Sequence, residues 1–292
     1  MKRASKFFSD LSGFWRQYKR NRFAVLCLAF VILLASIALL APWVAPYPPM
    51  RIGVAEVFAP PTAQHLMGSD NLGRDVFSMV VFGARTSLFV GFLAATTSVL
   101  IGLFVGSISG YLGGWVDDLL MRISEIVLII PRFVLALVLA AIFGSTALNV
   151  IVVIGLLSWP VIARVCRAEF LSLKEREYVL ASRSLGESTW SIIFSEILPN
   201  AMPPLVTAGT LQVGAAILME SSLSFLGLGD PNVPSWGYIA SSARIYIFQA
   251  WWIIAFPGIL IFLTVLSVNF IGDWLNFSLN PKTRERGYGF KI

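Results

Sequence analysis

The chain has 292 residues, 57% of them hydrophobic and 13% charged, with 22 Lys and Arg against 16 Asp and Glu for a formal net charge of +6. A soluble domain of this length carries roughly 25% charged residues, and the apolar residues here gather in runs that a bilayer demands and a soluble core does not. These figures exclude a water-soluble enzyme, and because the positive charges flank apolar runs they read as membrane topology, not as a nucleic-acid footprint.

Residues 1–22 form a basic N-terminal tail containing Lys2, Arg3, Lys6, Arg16, Lys19, Arg20 and Arg22. The apolar run that follows, Phe23–Val44, is longer than the apolar region of a signal peptide and reads as an uncleaved first transmembrane helix. Five further spans are expected at Ser87–Ser109, Leu119–Phe143, Leu148–Val165, Pro204–Leu228 and Trp251–Ile271. The expected fold is therefore an all-α polytopic membrane protein with six transmembrane helices. The third span carries Arg122, Glu125, Pro131 and Arg132 in its first part, which is expected to begin in the headgroup region.

Lys and Arg set the orientation. With the N-terminus in the cytoplasm, all basic residues except Arg51, Arg74, Arg85 and Arg244 fall on the cytoplasmic side, counting Arg122, Arg132, Arg164 and Arg167 to their nearest cytoplasmic surface. The positive-inside rule then places both termini in the cytoplasm. This leaves an external hydrophilic segment, 45–86, a cytoplasmic loop, 166–203, an external stretch, 227–250, and a cytoplasmic tail, 272–292.

The cytoplasmic loop is too long for a bare turn. Ser172–Ser184 is rich in helix formers of mixed charge, Gly186 suits a helix C-terminus, and a second helical stretch, Ser188–Leu198, is expected to end at Pro199. Two short helices around a glycine fit either an amphipathic element lying in the headgroups or a knob that docks into a partner's groove. Cys27 and Cys166 have no metal spacing and read as small apolar residues. His65 is a lone histidine in a hydrophilic segment and reads as a solvated loop residue. No GxxxxGK[ST] phosphate loop occurs in the sequence, so ATP binding through that motif is excluded, and no nucleophile-and-base constellation stands out.

Four blocks carry a family resemblance. Tyr178-Val-Leu-Ala-Ser-Arg-Ser-Leu-Gly186, with Leu198-Pro199 closing it, resembles the cytoplasmic "EAA" loop of binding-protein-dependent ABC importer permeases, departing from the general signature at Leu180 and Ser182. His65-Leu-Met-Gly-Ser-Asp-Asn-Leu-Gly-Arg-Asp-Val-Phe-Ser78 continuing to Leu88, Gly110-Tyr-Leu-Gly-Gly-Trp-Val-Asp-Asp118, and Leu223-Ser-Phe-Leu-Gly-Leu-Gly229 with Pro234-Ser-Trp-Gly237 resemble the oligopeptide/dipeptide/nickel permeases, C-type subunit. The resemblance runs over about residues 14 to 282. It implies a type I, methionine-importer-like permease core of five helices, 87–271, with an extra N-terminal helix, 23–44, in the bacterial inner membrane. It also implies a heterodimer with a homologous permease, two cytoplasmic ABC ATPases that use ATP and Mg, and an extracytoplasmic solute-binding protein, with no cofactor on this chain.

On this resemblance Tyr178, Val179, Ala181, Ser182, Arg183, Leu185 and Gly186 form the ATPase-coupling loop. Gly102, Gly106, Gly110 and Gly114, four residues apart, read as a helix-packing stripe. Glu220, the one acid deep in a span, is a translocation-path candidate that binds a substrate amine, pairs with an Arg of the partner, or packs protonated. Asp70, Arg74 and Asp75 are read either as a docking surface for the binding protein or as a local turn in which Arg74 pairs with an Asp. The expected function is the permease subunit of an importer for di-/oligopeptides or related small solutes. The alternatives are a stand-alone secondary transporter or channel, which predicts more ionisable residues within the spans, and a membrane-embedded enzyme, which needs convergent catalytic residues.

Overall fold

The computed structural model describes residues 18, 19 and 21–279. Most of the basic N-terminal tail and residues 280–292 lie outside the described residues. Apart from one bridge between Ser69 and Asp75, the regular structure described is helical. In chain order the helices are α1 (Arg22–Leu39), α2 (Ala41–Val44), α3 (Val76–Leu112), α4 (Gly114–Ile129), α5 (Arg132–Phe143), α6 (Ala147–Leu173), α7 (Glu177–Ser184), α8 (Thr189–Ser191), a π-helical turn (Ile192–Ile197), α9 (Leu198–Phe225), α10 (Trp236–Ser242) and α11 (Trp252–Leu279). Among the described residues five helical stretches are long and apolar enough to cross a membrane, and α4 with α5, bent by 84° at their junction, meets the same test when taken as one broken span.

Several boundaries differ from the sequence reading, each for a local reason. The second span starts at Val76, because Asp75 caps it by accepting from the Ser78 N–H. At 37 residues α3 is about 56 Å long, well over the ~30 Å of hydrocarbon it crosses, so its ends project beyond the apolar layer. The third span is two helices bent by 84° at Ile130–Pro131. Pro131 offers no N–H and drives the preceding residue into extended backbone, and Ile130 has φ −77°, ψ 131°. The fourth span runs on to Leu173, and α11 continues to Leu279 through part of the expected tail.

The loop helices differ as well. Residues 174–176 break the expected Ser172–Ser184 helix, and Pro199 does not end the second one, since the π turn leads directly into α9. Pro199 sits in the first turn of α9, where a missing N–H is tolerated.

The glycine stripe explains how α3 and α6 come together. A Cβ on Gly102 would collide with Ile162, one on Gly106 with Ala163 and Cys166, and one on Gly110 with Phe170 and Arg167, so α3 and α6 approach backbone to backbone. Gly114 departs from this reading: α3 ends at Leu112, and Gly113 and Gly114 (φ +68° and +56°) make the turn into α4. Gly91 seats Ile217 of α9, while Gly214 and Gly272 bring α9 and α11 together antiparallel at Asn269 and Thr210. Helix α1 leans on α11 at the rim, with Phe23 and Phe270 4.6 Å apart and Trp274 Nε1 donating to the Tyr18 carbonyl at 3.2 Å. Segments 45–75 and 226–251 therefore share one face of the bundle. Segment 174–191 shares the opposite face with both described ends of the chain. Phe89, Phe92, Leu100 and Phe104 point away from the bundle, as a lipid-facing surface requires.

Candidate functional site

The segment after α6 is built as a rigid knob. Val179 is fully buried among Cys166, Phe170, Ile192, Ile193, Ile197 and Ala201, anchoring α7 to the ends of α6 and α9. The α7 C-terminus is closed by Gly186 at φ +78°. The Gly186 N–H bonds the Arg183 carbonyl and the Glu187 N–H bonds the Ser182 carbonyl, a paired closure that favours glycine at this position. Ser188 then caps α8 by accepting from the Ser191 N–H at 3.3 Å.

What remains of α7 faces outward. Tyr178, Leu180, Ala181, Arg183 and Gly186 are exposed, Ser182 is half-exposed, and Leu185 is 83% exposed. Arg183 also lies over the Tyr111 ring, 5.5 Å from its centroid. Of the seven coupling-loop residues, six are thus exposed or partly exposed and Val179 is the root. Sequence reasoning missed Trp190 and Phe194, which stack at 6.1 Å and stand exposed beside the knob. Their spacing of four, opposite the buried Ile192, Ile193 and Ile197, was the available signal.

The knob is joined to the bundle through the π turn. The Leu198 N–H reaches back five residues to the Ile193 carbonyl, and Pro199, Pro203 and Pro204 remove three donors from the next two turns. A helix so short of hydrogen bonds bends easily between the knob and the body of α9.

At the other end of α9, Glu220 is only 3% exposed. Its carboxylate accepts from Ser87 (3.0 Å), Ser221 (3.3 Å) and Ser224 (2.7 Å). Ser87 Oγ in turn accepts the Trp236 N–H at 3.2 Å, and Trp236 Nε1 donates to the Val80 carbonyl at 3.2 Å. Side chains on Gly229 or Gly237 would collide with Ser224 and Ser221. The two halves of one resemblance block, 223–229 and 234–237, therefore lock together around one carboxylate. Glu220 is enclosed by its own chain and faces no open path, so of the three readings the packing one fits its placement. Beside it, Phe133, Leu218, Ser221, Ser222, Phe225 and Ala240 line an open cavity of about 340 Å³.

Asp70, Arg74 and Asp75 are all buried. Arg74 Nε donates to Asp70 Oδ2 at 2.6 Å, Asp70 Oδ1 accepts the Arg74 and Leu72 N–H groups, and Arg74 Nη1 reaches the Tyr238 hydroxyl at 3.3 Å. Burial works against the Arg74 charge, but the Tyr238 hydroxyl and the Asp70 carboxylate outweigh it and hold its pKa above the usual guanidinium value. Asp75 accepts from the Ser78 N–H and hydroxyl and contacts His65 Nδ1 at 2.9 Å. These residues frame segment 45–75 from within, their side chains turned away from the surface, and Arg74 pairs with Asp70 in the manner of the local-turn reading. His65 is likewise no solvated loop residue: it is largely covered, paired with Asp75 and stacked on Tyr47 at 5.5 Å.

Opposite, near the knob, Asp117 takes two bonds from Arg167 and one from Ser109, tying the start of the broken span to α6 and α3. Sequence reasoning gave neither Asp117 nor Arg167 a role, because nothing in a 50-residue separation signals a pair.

The comparisons with known proteins point one way. The profile described as "Binding-protein-dependent transport system inner membrane component" matches residues 98–285, and that of the "N-terminal TM domain of oligopeptide transport permease C" matches 9–61. The Di/tripeptide transport system permease protein DppC of Pseudomonas aeruginosa is 38% identical over 95% of this chain and 94% of that protein. The Dipeptide transport system permease protein DppC of Bacillus subtilis is 39% identical over 93% of this chain and 85% of its own, and the Glutathione transport system permease protein GsiD of Pectobacterium atrosepticum 37% over 93% and 91%. In fold, the chain is similar to a chain of the MetNI methionine ABC transporter in an inward-facing conformation, with TM-score 0.58 and 22% identity over 69% of this chain and 96% of that one.

Proposed function

This chain belongs to the family of binding-protein-dependent transport system inner membrane components, and from that premise we propose that it forms half of the translocation path for di- and tripeptides or close chemical relatives. The relatives named for dipeptides, di/tripeptides and glutathione support a short-peptide cargo. Its partners on this reading are a homologous permease, two ATPases that bind ATP and Mg, and an extracytoplasmic binding protein. Segment 174–191 and both termini lie in the cytoplasm.

The observation that carries the reading is the knob: a fully buried Val179 root, an outward surface that includes the 83% exposed Leu185, and a bendable π turn joining it to α9. When the ATPases close, their grooves move the knobs, and each knob levers the lower part of its α9. Transport follows because ATP and loaded binding protein stabilise one of two bundle arrangements over the other, not because this chain makes or breaks bonds. The test is uptake of a labelled dipeptide into proteoliposomes holding the complete transporter. ATP-dependent uptake that requires the binding protein supports the reading. Uptake driven by an ion gradient with this chain alone would replace it with a secondary transporter.

A further inference from the structure

We propose that the short knuckle 243–251, between α10 and α11, is a bilayer anchor. Its tip, made of Ile245, Ile247, Phe248 and Trp251, inserts at the boundary between lipid headgroups and acyl chains. All four tip residues are exposed, Ile245 at 76% and Phe248 fully. An apolar cluster of this kind marks an interaction site, because water does not tolerate it cheaply.

The knuckle is built to project. The Tyr246 N–H bonds the Ala243 carbonyl at 2.9 Å, and the Gln249 and Ala250 N–H groups both bond the Tyr246 carbonyl. Ala243 and Ala250 are buried at its two feet. The Tyr246 ring lies 4.9 Å from Phe58, and Trp252 Nε1 donates to the Ser69 carbonyl at 3.1 Å. Segment 45–75 therefore holds the knuckle from behind, and the tip points outward before anything covers it.

Three observations select lipid as the occupant. The first is depth. The knuckle runs directly into α11, a helix long and apolar enough to cross a membrane, and the Ala255 N–H bonds the Trp251 carbonyl, making Trp251 the cap of that span. Ile259 and Phe262, eight and eleven residues on, are exposed on the same side of α11, so the tip continues an apolar stripe of the span itself. The second is Trp43 on α2, which is 80% exposed. It follows α1, whose Leu34 and Ala38 pack in one cluster with Leu260 and Ile261 of α11. Exposed tryptophans at the ends of two adjacent spans form the pattern of an interfacial belt. The third is charge: Arg244 is the only charged residue between Asp230 and Asp273. It is exposed on the knuckle, where a cation suits headgroup phosphates.

The test uses the complete transporter in vesicles of phosphatidylcholine and phosphatidylglycerol, with reactive cysteines removed from the partner subunits. Phe248→Cys, and Gln64→Cys at an exposed position of segment 45–75, each carry a nitrobenzoxadiazole label. Wild type, whose Cys27 and Cys166 are buried, is the labelling blank. Quenching by lipid brominated in the upper acyl chain is compared with quenching by iodide present on both sides of the membrane. An interfacial tip lies about 5–10 Å into the headgroup–acyl boundary, so bromolipid should quench the Phe248→Cys label about threefold more than the Gln64→Cys label, with iodide giving the reverse order. Equal quenching at the two positions, or a Phe248→Cys label reached by iodide alone, overturns the proposal. A label shielded from both quenchers gives the knuckle to the second permease, and one that iodide reaches until the binding protein is added gives it to that protein. Either result overturns the anchor.

Discussion

Arg167 grips Asp117 with two parallel hydrogen bonds, Nε to Oδ1 at 2.6 Å and Nη2 to Oδ2 at 2.5 Å, across a separation of 50 residues. Ser109 of α3 donates to the same carboxylate, so three helices meet at one ion pair beside the knob. A fork-to-fork pair fixes geometry as well as energy, and here it sets how the bent span leaves the α3–α6 pair.

Asp117→Asn keeps the shape but removes the charge, and Arg167 is left without its partner. We expect a loss of about 1–3 kcal/mol, read as a lower unfolding temperature in detergent. Arg167→Lys, which lacks the fork, should recover less than half of it. If Asp117→Asn unfolds like wild type, the pair is not a fastening.

Glu220→Ala leaves three serine hydroxyls without their acceptor in the sealed contact between α9, α3 and α10. The expected cost is about 2 kcal/mol, held down because helical serines can turn back to their own carbonyls. Glu220→Gln should cost less than about 1 kcal/mol, as it keeps the volume and one acceptor oxygen. A path residue would behave oppositely, with Glu220→Gln cutting transport while stability stays at wild type.

Gly106→Leu and Gly114→Ala separate the packing glycines from the turn glycine. The leucine must push Ala163 and Cys166 away, an overpacking of about 3 kcal/mol that should sharply lower the folded yield. Gly114 has open space around its Cβ, so alanine meets only the left-handed backbone cost of about 1 kcal/mol. Equal yields for the two variants would contradict the α3–α6 contact.

Much of this was legible in the sequence, and what was not has physical reasons. Apolar runs locate helices because a bilayer leaves the backbone no other option, and the four-residue glycine spacing marked the packing face of α3 as far as Gly110 without naming α6 as what it meets. The start of α3 at Val76 was hidden by Arg85 and by the polar look of the segment before it; only the Asp75 cap reveals it. The 84° break was present as Pro131, but a proline in a membrane helix does not announce how far it bends. Asp70, Arg74 and Asp75 were visible as charges, and charge alone cannot say which side of a fold a group faces. Once Tyr238, Ser78 and His65 close around them, they become framework.

That framework gives a further prediction. Arg74→Ala removes the bonds to Asp70 and Tyr238, so segment 45–75 should become protease-sensitive between residues 50 and 75 while the helical bundle stays intact. Arg74→Lys should protect it only in part, since a lysine cannot serve Asp70 and Tyr238 with one planar group. Unchanged proteolysis in Arg74→Ala would mean the segment is held by other contacts.

The central claim is that the 174–191 knob seats in ATPase subunits, and its most direct measurement is co-purification of the tagged chain carrying Leu185→Glu. Leu185 is 83% exposed, so the change leaves the knob's own packing alone and alters only what meets it from outside. The account predicts that the variant keeps the second permease and loses the ATPases that wild type retains, while Phe92→Ala, on the outward face of α3, does not show this selective loss. Retention of the ATPases by Leu185→Glu at wild-type stoichiometry would contradict the account.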